Sequence, residues 1–228
     1  MCGRFALTTS RNIIAERYFG LSVPEVAEPA RYNIAPGGPI TAVRQEDTGE
    51  APKVEASHWG FHPSWASSDA PTPINIRAEK AATSAYFRSA FAHRRCLIPA
   101  SGWFEWKVTE TGKQPFYVTL KEADPDEVMF FAGLWEPTGT EDATCCGILT
   151  EPAAPAFADI HHRQPVVLDP EYRCDWLDGN LTTREDIRRA ARRLPADRLE
   201  AYAVSTRVNS TKNDDAQILA RSDITPLV

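Results

Sequence analysis

The sequence has no run of about eighteen apolar residues, the length a helix needs to cross a bilayer. Its N-terminus has neither the charged nor the apolar region of a signal peptide. These absences give the expectation of a cytoplasmic protein, nucleoid-associated or nuclear according to its source, with no membrane partner. The five cysteines include no CxxC pair, which argues against both a disulfide framework and a zinc site of common spacing. Reduced thiols, no metal and no cofactor are expected. Basic residues are in deficit too: 25 Lys and Arg face 31 Asp and Glu, a formal charge of −6. The chain therefore lacks the overall signature of a nucleic-acid binder, and any DNA partner must be met by basic side chains that converge locally. No internal repeat, low-complexity tract or composition shift marks a linker. Residues 1–228 are read as one domain, long enough to bury a core, with a monomer as the default.

Proline is abundant, with 18 residues spread along the chain, which favours turns and short elements. TTSRNIIAERYFG predicts a short first helix, with polar caps at Thr8 to Ser10 and Gly20 as its stop. PITAVRQ and KVEASHWGF predict a hairpin about a DTGE turn. AEKAATSAYFRSAFAHRR has helical spacing throughout and predicts one interior helix. CLIP, GWFEWKV, PFYVTL, VMFFAGLWE, TCCGILT, PVVL and LEAYAVST read as strands, with a turn at Thr111, Gly112 and Lys113 between the second and third. TTREDIRRAARRL predicts a further helix, with Thr182 and Glu185 in capping-box spacing. The fold class expected is α+β: a curled, barrel-like, mainly antiparallel β core with peripheral helices.

Four stretches carry candidate chemistry. Cys2 becomes the N-terminal residue once Met1 is removed, and a small second side chain favours that removal. An α-amine titrates near ~8 and a thiol near ~8.5, so a free 1,2-aminothiol has two nucleophiles accessible near neutrality. With an aldehyde such a pair forms an imine and then a thiazolidine ring. The bland alternative is a buried, structural cysteine. In GWFEWK, an extended backbone puts Trp103, Glu105 and Lys107 on one side and Phe104 and Trp106 on the other. A carboxylate packed among aromatics loses hydration and suits a general acid; a surface pair with Lys107 is the alternative. In ADIHHRQPVVL, adjacent histidines on a strand face opposite ways, so at most one points into a given site. In PINIRAE, Asn75 and Arg77 share a face if extended, which suits a phosphate or a sugar oxygen and suits a loop network nearly as well. RRAARR at 188–193 reads as a solvated helix face.

Taken in order, MCGRF, RYNIAP at 31–36, WGFHPSW at 59–65, INIRAE at 74–79, RRCLIPASGWFEWK at 94–107, FAGLWE at 131–136 and IHHRQPVVL at 160–168 resemble the SOS-response-associated peptidase (SRAP) family of abasic-site processing proteins. The resemblance implies a protein that meets the ring-opened aldehyde of an abasic site in single-stranded DNA and becomes covalently attached through its N-terminal cysteine. It further implies roles for Cys2 as amine and thiol, Asn75 in orienting the N-terminus and sugar, Glu105 as proton shuttle, and His161 in proton transfer and reversal. Arg4, Asn33, Arg77 and Arg163 match positions that hold phosphates and flanking nucleotides, and Trp65 is a candidate base-stacking platform. The family name implies autoproteolytic release of Met1. Gln164 stands where the family commonly has Met, His162 fills the variable position, and Ile76 stands where a small residue is usual. Two rivals remain at this point: an N-terminal-nucleophile amidohydrolase of the glutamine amidotransferase type, and a non-enzymatic DNA-binding or ubiquitin-pathway adaptor with a structural cysteine.

Overall fold

A computed structural model describes residues 2–24, 28–46, 49–140 and 143–222. In chain order its elements are β1 (Phe5–Leu7), α1 (Arg11–Phe19), β2 (Arg31–Ile34), β3 (Pro39–Arg44), β4 (Lys53–Trp59), β5 (Asn75–Arg77) and α2 (Ala78–Ala81). Then come α3 (Arg88–His93), β6 (Arg95–Ala100), β7 (Gly102–Thr109), β8 (Gly112–Leu120), β9 (Met129–Pro137) and β10 (Thr144–Pro152). The chain continues through β11 (Arg163–Pro165), β12 (Val167–Leu168), α4 (Arg173–Leu177), α5 (Arg184–Ala190) and β13 (Leu199–Ala203), with short 3-10 turns around and after these. No helix among the described residues is long and apolar enough to cross a membrane.

Five strands close a ring. β3 pairs with β4 as the expected hairpin, from Pro39 opposite His58 to Arg44 opposite Lys53; residues 47 and 48 of its DTGE turn lie outside the described residues. β4 runs parallel to β10, β10 is antiparallel to β9, β9 to β6, and β6 returns to β3 through Val43 and Leu97. A second sheet, in the order β13-β8-β7-β1-β2, is antiparallel throughout. The expected α+β class with a barrel-like, mainly antiparallel core is the one observed. Sheet and ring meet through aromatic edges: Phe5 lies 5.2 Å from Trp59 and 6.1 Å from Phe131, and Trp103 lies 5.9 Å from Phe131, all T-shaped. Each such ring is fully or almost fully buried, which contributes roughly 1.5–3 kcal/mol by area alone.

The alternation expected for GWFEWK holds. Trp103 joins the main core, whereas Phe104 packs on the opposite face with Ala6, Tyr117, Val204, Val208 and Ile218. α1 also forms as expected. Ser10 caps the N–H of Ile13, and Gly20, at φ 64°, ends the helix with its own N–H bonded to Glu16 O and that of Leu21 to Ala15 O.

Four local expectations are corrected. The single interior helix breaks into α2 and α3, because Thr83 and Ser84 turn their hydroxyls onto nearby backbone: Thr83 Oγ1 donates to Lys80 O and Ser84 Oγ accepts from Tyr86 N. The cap of α5 is Thr183 with Asp186, one residue later than Thr182 with Glu185, which turns Ile187 and Ala190 inward. The β7–β8 turn is Glu110 and Thr111, since Thr109 pairs with Gly112. PVVL is shared between β11 and β12, where the chain crosses from β10 to β9; Val166 bridges them, donating to Leu149 O and accepting from Ala132 N.

Candidate functional site

Three strand pairings converge at one end of the core. Phe5 opposite Trp103 and Ala6 opposite Gly102 set β1 against β7, and the Phe104 N–H bonds to Arg4 O. That register carries residues 2–4 alongside 104–106. β10 is the hub for the other two: β5 lies parallel to it, with Asn75 level with Ile148, and β11 lies antiparallel to it, with Arg163 opposite Pro152. Cys2, Asn75, Glu105 and His161, four positions spread over most of the chain, thereby meet.

Cys2 is fully buried, and its carbonyl accepts a 2.8 Å hydrogen bond from Asn75 Nδ2. Burial, and then the adjacent Glu105 charge, push its thiol well above the ordinary range. The expectation of a thiol with an accessible anionic form near neutrality is corrected accordingly: here it stays protonated until a base takes its proton. Glu105 is only 4% exposed, which rules out the surface pair with Lys107. Burial raises its carboxyl from 4.5 to about 7, where it can exchange a proton near neutral pH. His161 Nδ1 lies 3.8 Å from Glu105 Oε2, and desolvation holds the imidazole below its usual range. An open cleft of about 380 Å³, lined by Glu105, Trp106, Lys113, His161 and Asn209, gives the pair access to solvent.

The remaining expected residues fall into two groups. Arg4, Asn33 and Arg163 are turned onto the protein itself. Arg4 Nη1 donates to Asn33 Oδ1 at 2.7 Å and to Val208 O at 2.8 Å, and buried Asn33 donates through Nδ2 to Val208 O, Ser210 O and Asn213 O. These bonds hold the C-terminal turns over the Phe104 face. Arg163 is 8% exposed and forks onto Glu79. Arg77 and Trp65 face outward. Trp65 is 63% exposed on the loop between β4 and β5, edge-on to Tyr86 at 5.7 Å; neither takes part in the bonds that join the four central residues. The other tryptophans, Trp106 apart, are core residues.

Sequence reasoning missed Glu79, Thr150 and Asn209. Asn209 Oδ1 accepts from Trp106 Nε1 at 2.7 Å and so forms part of the cleft wall. Asp214 was also missed: it caps the N–H groups of Tyr32 and Asn33 and pairs with Arg31, tying the same turns to β2. No group of three or more His, Cys, Asp or Glu that could hold a metal occurs among the described residues.

The family model described as SOS response associated peptidase (SRAP) matches residues 1–211. The chain belongs to the SRAP family. It is 34% identical over 230 residues to the abasic site processing protein YedK of Escherichia coli strain K12, covering 96% of this chain and 99% of that one. It is 33% identical over 227 residues to the abasic site processing protein YoqW of Bacillus subtilis strain 168, with the same coverage. Among solved structures, a Bacteroides thetaiotaomicron protein superposes with a TM-score of 0.81 at 21% identity, covering 97% of this chain and all of that one. A phage-related protein of Bordetella bronchiseptica gives 0.72 at 27% identity, covering 90% and 95%. Gln164 uses Oε1 to accept from Ala154 N at 2.8 Å, and the His162 ring lies 4.3 Å from that of His161. Both contacts brace the loop that carries His161.

Proposed function

We propose that this SRAP protein acts, as a monomer, on abasic sites in single-stranded DNA and, after loss of Met1, captures them covalently through Cys2. Met1 lies outside the described residues. The observation that carries the reading is the meeting of Cys2, Asn75, Glu105 and His161 beside one cleft, with a carboxyl of pKa about 7 among them. The names of the curated relatives support the same substrate.

The chemistry follows from the proton inventory. The thiol is held protonated, so the α-amine of the processed Cys2 attacks first, adding to the aldehyde carbon of the ring-opened sugar. Glu105, protonated, gives a proton to the departing hydroxyl; water leaves and a protonated imine forms, its nitrogen keeping one hydrogen. Glu105, now a carboxylate, takes the thiol proton as sulfur adds to the iminium carbon and the C=N electron pair returns to nitrogen, which closes the thiazolidine and restores the acid. His161 relays protons to and from Glu105 and serves the reverse reaction. The Asn75 amide fixes the Cys2 carbonyl and so aims the amine. Removal of Met1 at the same centre is peptide hydrolysis, for which a neutral thiol beside a carboxylate and an imidazole is a suitable nucleophile and base set.

Contacts to DNA are assigned to Arg77 and Trp65 on the outer face, and to Arg4, Asn33 and Arg163. Arg4 Nη2 takes no part in the bonds to Asn33 and Val208, and Arg163 Nη1 keeps one N–H beyond its pair with Glu79. A few such contacts make the encounter salt-sensitive despite the acidic chain, whereas the covalent product is not. The test is a denaturing gel with a single-stranded oligonucleotide carrying one abasic site. A shifted band that survives high salt and denaturant, together with a thiazolidine mass on the N-terminal peptide, is expected. A complex that falls apart under those conditions overturns the reading.

A further inference from the structure

Residues 75–79 reach both halves of the reaction centre. At one end Asn75 Nδ2 holds the Cys2 carbonyl. At the other, the Glu79 carboxylate receives Arg163 Nη1 and Nη2 at 2.9 and 3.0 Å, and the guanidinium in turn holds the Glu79 carboxyl below its usual range. Thr150 on β10 takes further donors of the same guanidinium, Nε on its hydroxyl and Nη2 on its carbonyl. A forked pair with a carbonyl beside it fixes orientation as well as distance.

The main chain of Arg163 then grips His161. Its N–H donates to His161 Nδ1 at 3.0 Å, and its carbonyl oxygen lies 3.0 Å from the same nitrogen. A ring with its proton on Nε2 accepts at Nδ1 from the N–H; a ring protonated at Nδ1, neutral or cationic, donates Nδ1–H to the carbonyl. The ring keeps a partner in either state and can take or release a proton without turning. The grip is only as well placed as residue 163, whose main chain is held by the pairing of β11 with β10 and whose side chain is anchored by Glu79 and Thr150.

We propose that Glu79 is a positioning residue for the reaction at Cys2: through its forked pair with Arg163 it fixes the imidazole of His161, so that residues 75–79 set the spacing between nucleophile and proton carrier. The inference rests on the reading of the site given above. Glu79 is not among the residues that line the cleft beside Glu105 and His161. Its side chain is 47% exposed, so Glu79→Gln, which keeps an acceptor oxygen, is compatible with a folded protein.

The experiment measures three quantities on the full chain: the single-turnover rate of cross-linking at saturating abasic oligonucleotide, the affinity for the same oligonucleotide without the lesion, and the NMR titration of the His161 imidazole in DNA-free protein. For Glu79→Gln the expected results are a rate about tenfold lower, an affinity within about twofold of the parent, and a shifted His161 titration; Glu79→Asp recovers part of the rate. In a His161→Ala background, Glu79→Gln has no further effect, as two residues acting through one contact require. An additive loss in that background, an unchanged rate, or a loss of affinity with the rate preserved overturns the proposal. If the parent protein gives no denaturant-resistant complex, the function reading fails by itself. The His161 titration still decides the positioning role, because an unmoved titration in Glu79→Gln refutes it without any DNA.

Discussion

Cys2 and the pair Cys96 and Cys146 are the same side chain in the same degree of burial, yet they sit in different chemistry. All three are fully enclosed, and burial pushes all three thiols up, Cys146 to about 12. Within the ring of strands, Cys96 has Cys146, Cys145 and the buried Arg44 for neighbours, and Cys146 has Ser57 and Cys145. No carboxyl of intermediate acidity and no imidazole is among them. Cys2, at the end of the core, has Glu105 beside its thiol and Asn75 on its carbonyl. Burial alone therefore makes a small hydrophobe of a cysteine. What distinguishes Cys2 is a nearby group that can take its proton when needed.

The comparison breaks most sharply at the thiols themselves. Cys2→Ala is expected to abolish the denaturant-resistant complex on the abasic oligonucleotide. Cys96→Ala or Cys146→Ala is expected to leave it intact while lowering stability by about 1–2 kcal/mol in a denaturant melt, the cost of a small cavity. A retained complex in Cys2→Ala would put the three cysteines back in one class. Next in size is Glu105→Gln, which removes the carboxyl proposed as proton shuttle and is expected to slow cross-linking by on the order of 10²-fold. In the parent, the rate is expected to fall as pH rises through about 7 and the acid form is lost.

Glu105 also makes stability depend on pH. Its folded-state pKa lies above the unfolded value, so between about 4.5 and 7 the folded protein holds a proton that the unfolded chain releases. Its contribution to stability is thus fully present below that window and is lost as pH rises through it, up to on the order of 2–3 kcal/mol. Melting curves of the parent and Glu105→Gln across that range should diverge with this sign; parallel curves would show an ordinary carboxylate. The smallest effect belongs to the outer face. Trp65→Ala is expected to weaken binding of undamaged single strands by about tenfold, within the range for one stacked base, and to leave the cross-linking rate at saturation unchanged.

Much of the fold was legible wherever the signal is local. Ser10 and Gly20 mark the ends of α1 because capping is a matter of a few adjacent residues, and the period-two pattern of GWFEWK separates Trp103 from Phe104 correctly. The same locality misled over AEKAATSAYFRSAFAHRR, whose apolar spacing is helical throughout but whose Thr83 and Ser84 hydroxyls compete for the backbone. The central residues were legible one by one as chemistry and together only through their resemblance to a family. Glu79 lay inside a quoted motif and still carried no signal, because its partner is 84 residues away in sequence and the two meet only when β5 and β11 both dock on β10. Asn209 is hidden for the same reason: its tie to Trp106 spans 103 residues.

One glycine has a consequence for the order in which the sequence can change. A Cβ on Gly147 would sit 2.9 Å from Ile76 Cδ1 and 3.2 Å from both Ile76 Cγ1 and Phe61 Cβ. The large side chain that this protein carries at position 76 is thus lodged in the space that glycine vacates, one residue from Asn75. The two positions behave as a lock with a permitted sequence of moves. Gly147→Ala first forces the Ile76 side chain to shift, beside Asn75. Ile76→Ala first clears most of the space, after which the same alanine at 147 is tolerated. In a mutational library the double variant is therefore expected to be better tolerated than Gly147→Ala alone.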